Sequence, residues 1–513
     1  MRKHMFVLAG CLFLFTCVAC VAEAAGKAHH VIVVVWDGMR PDFITPELTP
    51  NAWRMASGGV TFANHHPVYL SATEVNGTAI ATGCYPEHST IIANKEYRPQ
   101  IDPKTILHME GLEWARKGDE VSGGHYIAAP TTAEILQHAG LRTVVAGAKG
   151  IGLLHDRAAR PVGAQNITLF AGNSLPEDVA QELTNRQGAF PAEHATPTRN
   201  DWTTQALIER LWRGDVPAFT LLWMNEPDSA QHKFGLGSPE ALTALKNADD
   251  NLGRVLAALQ AKDILQDTDI LLVSDHGFST ISRRVDLAES LRKAGFGVVA
   301  ILGPKPGKGR IVVVSNGGGC LFYVGDHDAE TTRRLVEFLQ RQDYSGVVFT
   351  REPMEGTFTL SQGKLDSPDA PDIVLSMAWS PDKNTNGVPG MVASGVYDYG
   401  ELGMHVSLSH YDMHNTLLAA GPDFRKGIVD HLPTGNTDVA PTVLWILGVK
   451  PPKPMDGRVL SEALDMKAPK LKSYEPQRLE ASRKLDGKVW RQYLMFTEVN
   501  GVKYFDEGNG RIE

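Results

Sequence analysis

Continuous apolar runs, rich in β-branched residues, occur at separate places along the chain. They are His30 to Trp36, Leu141 to Ala146, Ala218 to Met224 and Asp269 to Val273. An apolar run without polar alternation is typical of a strand that is buried on both faces, as in a parallel sheet. These segments therefore predict the inner strands of such a sheet.

Segments with apolar residues at intervals of three and four lie between these runs. They are 48–57, 131–139, 203–212 and 240–259. This spacing predicts amphipathic helices. Strands that alternate with helices predict an α/β protein, a three-layer α/β/α sandwich with a mostly parallel central sheet. Ligands of such sheets bind at the carboxyl ends of the strands.

The pattern is less regular between about residues 281 and 400. Strand-like pieces separated by Gly- and Pro-rich turns occur at 310–314, 321–324 and 373–377. We interpret this stretch as partly an insertion within one domain of residues 25–466. Residues 467–513, first charged and then aromatic, predict a C-terminal extension packed on the core, made of a helix and a hairpin.

The N-terminus has the pattern of an export signal. Arg2 and Lys3 precede an apolar run that ends in small residues, which predicts a signal peptide of residues 1–24, cleaved near Ala24. An uncleaved anchor is an alternative because the run is close to spanning length. A lipoprotein modified at Cys11 or Cys20 is another. We expect a periplasmic or secreted protein with no membrane span in the mature chain.

The chain of 513 residues is 43% hydrophobic, which suffices for a large core. Its formal net charge is -9, and Lys and Arg are scattered rather than grouped, so no nucleic-acid-binding surface is predicted. An anionic substrate remains compatible with this charge because a metal site can reverse the local field. The sequence carries no information on oligomeric state.

Only Cys84 and Cys320 of the five cysteines lie outside the predicted signal. One disulfide and two separate buried thiols are both open.

Carboxylates and imidazoles follow three of the predicted strands. Asp37 ends the first strand, and Asp275 and His276 end another. Asp228 and His232 follow a third and are four residues apart, so they would share one face of a helical turn. Each feature alone is commonly a turn, a helix cap or a chance spacing. Gathered at the ends of parallel strands, they predict a Zn²⁺ site of one or two ions, with nitrogen and oxygen ligands. A histidine-rich segment at 405–414 could add ligands.

The order of these motifs resembles the alkaline phosphatase superfamily, in its nucleotide pyrophosphatase/phosphodiesterase branch. The segments that carry the resemblance are Pro67–Pro99, Glu226–His232 (EPDSAQH), Ser274–Gly277 (SDHG), Asp37–Phe43 (DGMRPDF), Asn436–Thr442 and Asp456–Arg458. The resemblance extends over roughly residues 31–463. It implies an alkaline-phosphatase-like fold and a metal-dependent phosphoric ester hydrolase of the type I phosphodiesterase kind.

The resemblance also implies two divalent ions, with Zn²⁺ as the first choice. The ligands of one ion would be Asp228, His232 and His405. The ligands of the other would be Asp37, Thr73, Asp275 and His276. His410 and His414 are rivals of His405, because Val406 stands where the family commonly has Gly.

Thr73 matches the family nucleophile, which implies a covalent phosphothreonine intermediate. Asn94 matches an Asn that hydrogen-bonds a phosphoryl oxygen. Lys149 resembles a Lys of some monoesterase branches, although Ile151 stands where those have a second basic residue, and a solvated loop charge is the alternative. Glu74 follows Thr73 where the family usually has an aromatic residue, so nucleotide specificity is not implied.

The expected partner is a small-molecule phosphate ester, a phosphodiester first and a monoester or phosphonate second. A sulfatase is less favoured, because the segment from Cys84 to His88 lacks the Arg of C-x-P-x-R and lies beyond Thr73. A fold retained without catalysis is disfavoured by the presence of all the expected ligands.

Overall fold

The computed structural model describes residues 26–303, 307–395, 400–466 and 474–513. The predicted signal peptide lies outside these residues. Within the described ranges, no helix combines the length and the hydrophobicity that a membrane span requires.

Strands and helices alternate in the first part of the chain, and strands predominate in the second. The strands are β1 His30–Trp36, β2 Val60–Phe62, β3 His65–His66, β4 Lys95–Glu96, β5 Leu107–His108, β6 Thr143–Gly147, β7 Ile167–Phe170, β8 Asn173–Leu175, β9 Phe219–Met224, β10 Thr268–Val273, β11 Ser279–Arg284, β12 Gly297–Val299, β13 Arg310–Ser315, β14 Gly319–Val324, β15 Ser345–Thr350, β16 Phe358–Thr359, β17 Ile373–Met377, β18 Trp379–Lys383, β19 Pro389–Ser394, β20 Gly403–Met404, β21 Leu417–Ala420, β22 Ile428–Asp430, β23 Thr434–Gly435, β24 Gln477–Leu485, β25 Lys488–Val499 and β26 Val502–Ile512. The α-helices are α1 Pro50–Gly58, α2 Thr73–Thr82, α3 Pro86–Ser89, α4 Leu112–Ser122, α5 Thr132–His138, α6 Gly152–His155, α7 Asp178–Gln187, α8 Thr198–Ala206, α9 Asp228–Phe234, α10 Pro239–Ala261, α11 Leu287–Lys293, α12 Ala329–Gln340 and α13 Val439–Ile446.

The central sheet contains, within the described ranges, nine strands in the order β22-β2-β21-β10-β1-β9-β6-β7-β8. Its middle, from β10 to β7, is parallel throughout. β21 runs antiparallel to both β10 and β2, and β8 runs antiparallel to β7. All of the predicted parallel strands therefore lie side by side in one sheet.

Residues of β1 alternate between two cores on opposite faces of this sheet. Val33 packs in a core that includes Ile80 of α2, whereas Val34 packs in a core that includes Leu252 of α10. Because both faces are covered by helices, the strand has no polar face, which explains its unbroken apolar sequence. The expected α/β fold with helices on both faces of the sheet is confirmed.

Residues 281–400 contribute to two further sheets. A sheet of β12-β13-β14-β17-β15-β16 and a sheet of β18-β19-β11-β20 contain all the strands described in this stretch. The segment 203–212 was expected to be one helix; α8 begins earlier, at Thr198, and Leu207–Leu211 forms a π-helical turn.

The expected C-terminal helix is not found in residues 474–513, which form the antiparallel sheet β24-β25-β26 instead. Burial in β25 alternates from one residue to the next, which is the period of a strand and not of a helix. The buried residues are Trp490, Gln492, Leu494 and Phe496, and the residues between them are more exposed. Leu494 and Phe496 pack in the same core as residues of β15, and the Gln492 amide bonds the backbone of Val348. Residues 474–513 therefore pack against the core through these side chains.

Cys84 and Cys320 are both buried and free among the described residues. The two cysteines are therefore separate buried thiols and do not form a disulfide.

Candidate active site

Three adjacent parallel strands bring the predicted site residues to one edge of the sheet. Asp37 directly follows β1, Asp228 follows β9, and Asp275 follows β10. Gly38 makes the close approach possible, since it has a positive φ of 69° and a Cβ there would lie 3.1 Å from the Asp228 Cβ. The predicted convergence of carboxylates at these strand ends is observed.

The Asp228 cluster consists of Asp228, His232 and His405. The Nε2 atoms of His232 and His405 lie 3.3 and 3.7 Å from Oδ1 of Asp228. His232 Nδ1 is 2.9 Å from the carbonyl of Gly403, and His405 Nδ1 is 2.8 Å from that of Ser71. A carbonyl can only accept, so both rings carry a proton on Nδ1, and Nε2 is the atom through which each ring can bind a metal.

The Asp37 cluster consists of Asp37, Thr73, Asp275 and His276. Nε2 of His276 lies 3.5 Å from Asp37 Oδ1, 3.2 Å from Asp275 Oδ2 and 3.3 Å from Thr73 Oγ1. The Nδ1 of His276 is 2.8 Å from the carbonyl of Gly277, which leaves Nε2 without a proton.

Each carboxylate in the two clusters has one oxygen that the protein leaves without a partner. Asp37 Oδ1, Asp228 Oδ1 and Asp275 Oδ2 are buried and accept no hydrogen bond from the described residues. A buried carboxylate oxygen without a partner is costly, so this pattern fits a site that binds a cation. In a tetrahedral zinc site with bonds of about 2.0–2.1 Å, ligand atoms lie about 3.3 Å apart, which fits the spacing in both clusters.

Thr73 is the first residue of α2 and is buried, with 5% of its surface exposed. The backbone N–H groups at this helix end can donate to an anion. Oδ1 of Asn94 accepts a hydrogen bond at 3.0 Å from the backbone N–H of Glu74. Since the Asn94 oxygen is engaged there, its amide NH₂ is free to donate to a phosphoryl oxygen near Thr73.

Comparison with known proteins identifies the family to which the chain belongs. Residues 31–382 match the family described as Type I phosphodiesterase / nucleotide pyrophosphatase. The chain belongs to this family. The mouse ectonucleotide pyrophosphatase/phosphodiesterase family member 7 is 24% identical over 290 residues, which are 56% of this chain and 58% of that protein. The chain thus spans little more than half the length of this relative.

Two further relatives cover more of the chain. A mouse bis(5'-adenosyl)-triphosphatase is 21% identical over 83% of this chain and 79% of its own length. The solved structure of murine ectonucleotide pyrophosphatase/phosphodiesterase 5, an inactive variant in complex with AMP, covers 85% of this chain and 100% of its own. Its TM-score is 0.59 at 17% identity, which shows a shared fold.

In this family member, the electrostatics of the site favour a bound cation. Burial, with Asp228 and Asp275 beside it, raises the pKa of Asp37, and burial raises the pKa of Asp275 to about 7. Burial also lowers the pKa of His276 and of His405, whose rings stack 3.6 Å apart. Although burial opposes it, Asp228 raises the pKa of His232 to about 9, so a cation in the Asp228 cluster would displace a proton from this ring. The neutral rings of His276 and His405 beside crowded carboxylates form a ligand set that a divalent cation would stabilise.

Lys149 is not a solvated loop residue. Its Nζ donates to Asp37 Oδ2 at 2.8 Å and to Asp228 Oδ2 at 2.7 Å, and its side chain is 16% exposed. Although burial alone would lower the pKa of Lys149, the two carboxylates raise it. The ammonium group therefore lies between the two clusters, bound to the carboxylate oxygens that do not face the imidazoles.

Of the three candidate histidines in 405–414, only His405 joins the Asp228 cluster. His414 pairs with Asp506 at 2.6 Å, and His410 lies 3.6 Å from Glu507. Val406, at the family's usual Gly position, is accommodated with a positive φ of 80°.

Several supporting residues were not foreseen from the sequence. Trp223 Nε1 donates to Asp37 Oδ2 at 2.9 Å, and Asn436 Nδ2 donates to the Asp275 carbonyl at 2.7 Å. Glu110 interacts electrostatically with Glu74 and Lys149. Trp223 and Glu110 have no local sequence signal, whereas Asn436 lies in one of the matched motifs.

Proposed function

We propose that the protein is a two-metal phosphodiesterase in which Thr73 is the nucleophile. The observation that carries the proposal is the position of the Thr73 hydroxyl, 3.3 Å from His276 Nε2, the ring nitrogen that also lies 3.5 and 3.2 Å from the unpartnered oxygens of Asp37 and Asp275. A threonine hydroxyl is a weak nucleophile at neutral pH unless a base or a metal activates it.

The residues fit two divalent cations, with Zn²⁺ the best match to their nitrogen and oxygen donors. The Asp228 cluster would hold one ion and the Asp37 cluster the other. Bound ions would lower the pKa of an attached hydroxyl and neutralise negative charge on phosphorus. This chemistry is consistent with the family, and the distances given above support the assignment of each ligand.

The reaction proceeds in two displacements. Oγ1 of Thr73 bonds to phosphorus as one ester bond breaks and the first alcohol leaves, giving a threonine phosphoester that keeps the second organic group. Water then bonds to phosphorus, the bond to Thr73 breaks, and a phosphate monoester is released. The NH₂ of Asn94 donates to a non-bridging oxygen in both steps, and its carbonyl is fixed by the N–H of Glu74.

A diester is favoured over a monoester because of Glu74. The side chain follows Thr73, is buried, and has Oε2 without a partner among the described residues. Burial and the nearby Glu110 raise the pKa of this side chain, and in its ionised form it would repel a monoester dianion more strongly than a diester monoanion. Lys149 supports the second candidate, a monoesterase or phosphonate hydrolase, since its ammonium group adds positive charge to the same site.

A sulfatase receives no support from the position of Cys84. The thiol follows the C-terminal end of α2, whereas Thr73 begins the helix. At 1.5 Å per residue this separates them by about 15 Å. Burial raises the pKa of Cys84 to about 11, which further disfavours a reactive thiol.

The test uses aryl phosphodiester, monoester, phosphonate and sulfate substrates with purified Thr73→Ala, Thr73→Ser and wild type, each with Zn²⁺. We expect Thr73→Ala to lose about a thousandfold or more of turnover and to keep nearly all of its zinc. Thr73→Ser retains a hydroxyl and should keep measurable turnover. Wild-type turnover in Thr73→Ala would refute the assignment, and preference for monoester would favour the second candidate.

We also infer that the chain is exported through residues 1–24. The support is the basic pair Arg2 and Lys3, the apolar run and the small residues near Ala24. Intact mass of the exported protein tests it: cleavage after Ala24 gives one mass, and a lipid on Cys20 or an intact N-terminus gives another.

A further inference from the structure

A second group of histidines and carboxylates lies where the C-terminal sheet meets the core. His66 belongs to β3, His414 to the loop before β21, and Asp506 to β26. One donor atom from each of these three residues lies within 4.8 Å of the other two. We call them the C-terminal cluster. They come from segments far apart in the sequence.

Two of the three side chains, His66 and Asp506, already have the protonation state that a metal ligand needs. His66 Nδ1 lies 3.0 Å from the carbonyl of Met413, so Nε2 carries the lone pair. Burial and the neighbouring His414 lower the pKa of His66, which keeps this ring neutral. Although burial opposes it, hydrogen bonding with His414 lowers the pKa of Asp506 to about 2, so the carboxylate is ionised.

The cluster is more than an isolated ion pair. His414 Nε2 lies 2.6 Å from Asp506 Oδ1, and the His414 ring also contacts the rings of His66 at 4.6 Å and His410 at 4.0 Å. His327 and Asp372 form an imidazole–carboxylate pair at the same 2.6 Å without belonging to a group of potential ligands in the described ranges. Adjacent imidazoles that both carry a positive charge repel each other. A metal ion instead binds to the nitrogen lone pairs of neighbouring imidazoles.

We propose that His66, His414 and Asp506 bind a third divalent cation, Zn²⁺ by their donor atoms, which joins the C-terminal sheet to the core. In this site the cation replaces the proton shared by His414 and Asp506. Two imidazole nitrogens and one carboxylate oxygen leave a fourth position for water. His410 and Glu507 lie close to Asp506. The proposal does not rest on the phosphodiesterase activity, and none of its ligands belongs to the Asp37 or Asp228 cluster.

The test measures zinc by mass spectrometry after the full-length protein is stripped with a chelator, reloaded with Zn²⁺ and desalted. We expect His414→Gln and Asp506→Asn to bind one equivalent less than wild type. His327→Gln is the matched control, since it breaks a pair of equal length, and it should bind as much as wild type. Equal zinc in wild type and both cluster variants would overturn the proposal.

A second measurement covers the case in which these variants fold poorly. Asp228→Asn combined with Asp275→Asn weakens both active-site clusters while the C-terminal cluster is intact. Titration of this protein with Co²⁺ should give a visible absorption band for one nitrogen- and oxygen-ligated ion, and addition of Asp506→Asn should abolish it. Absence of any band in the Asp228→Asn, Asp275→Asn protein would also overturn the proposal.

Discussion

Oγ1 of Thr73 lies 3.3 Å from Nε2 of His276. The hydroxyl comes from the start of α2 and the imidazole from the end of β10, so only the folded chain brings them together. The other ring nitrogen of His276 donates to the Gly277 carbonyl, and Nε2 lies 3.5 and 3.2 Å from the unpartnered oxygens of Asp37 and Asp275, so that these three atoms surround one point. A cation at this point would contact Thr73 directly.

Chelation should therefore abolish turnover without unfolding the protein. We expect prolonged treatment with a chelator to reduce diester hydrolysis to background and Zn²⁺ to restore it, since Thr73 would lose its activating cation. Hydrolysis rate and far-ultraviolet circular dichroism check this on the same samples. Undiminished hydrolysis by protein verified to be metal-free would contradict it.

His405→Ala should lose activity to a far greater extent than His410→Ala. His405 Nε2 faces Asp228 at 3.7 Å, whereas His410 faces Glu507. We expect a loss of about a hundredfold or more for His405→Ala at limiting Zn²⁺, and less than about threefold for His410→Ala. The reverse order would show that the ligand has been assigned to the wrong histidine.

Asn94 should act through its NH₂ group. Asn94→Asp keeps an oxygen for the N–H of Glu74 but has no donor for the phosphoryl oxygen, so we expect kcat to fall by about 10² to 10³ with the midpoint of thermal unfolding preserved. Asn94→Ala loses both contacts and should also be less stable. Full activity in Asn94→Asp would mean that Asn94 only positions α2.

Lys149→Met should separate metal binding from turnover. The Lys149 ammonium group lies 2.7 Å from the Asp228 carboxylate and 2.8 Å from that of Asp37. Because its removal lowers the repulsion of an incoming cation, we expect Zn²⁺ to bind roughly tenfold more tightly. Turnover should nonetheless fall, because the transition state loses a positive charge. Zinc titration and steady-state kinetics are the measurements, and weaker zinc binding would contradict the prediction.

Glu74→Gln should relax discrimination against doubly charged substrates. Because burial and Glu110 raise the pKa of Glu74, the expected effect belongs to alkaline pH, where the side chain is ionised and repels the dianion more strongly; there the ratio of kcat/KM for aryl monoester over diester should rise by roughly tenfold. Glu87→Gln, in the same chain segment but remote from the N-terminus of α2, is a control that should leave the ratio unchanged. No change in the Glu74→Gln ratio would remove the argument for a diester.

Asp269, on β10, should make stability depend on pH. Burial and the nearby Asp423 raise the pKa of Asp269 to about 8, so the folded state keeps a proton that the unfolded chain loses at lower pH. The stabilisation is complete below the ordinary Asp range near pH 4 and is lost as pH rises through about 8.

Asp269→Asn resembles the protonated side chain at every pH and should lack this dependence. We expect the free energy of unfolding in urea to fall between pH 5 and pH 8.5 by a few kcal/mol more in wild type than in Asp269→Asn. Asp263→Asn, at an exposed position, should behave as wild type. Parallel pH profiles for wild type and Asp269→Asn would count against a buried neutral Asp269.

The sequence by itself determined the parallel strands and the carboxylates at their ends. Doubly buried strands such as β1 need an unbroken apolar run, and two candidate ligands on one face of α9 need a spacing of four residues, so both leave a local pattern. The order of these patterns along the chain was sufficient to indicate the family.

Only the tertiary structure decided among the histidines and assigned Lys149 and the C-terminal sheet. His405, His410 and His414 are close in sequence and equivalent as ligands, and the carboxylate that each one faces depends on how distant segments pack. In the sequence, Lys149 cannot be distinguished from a solvated loop residue, and only the packing of β1 and β9 places Asp37 and Asp228 beside it. His66 and Asp506 lie at opposite ends of the chain, and no local spacing could have joined them.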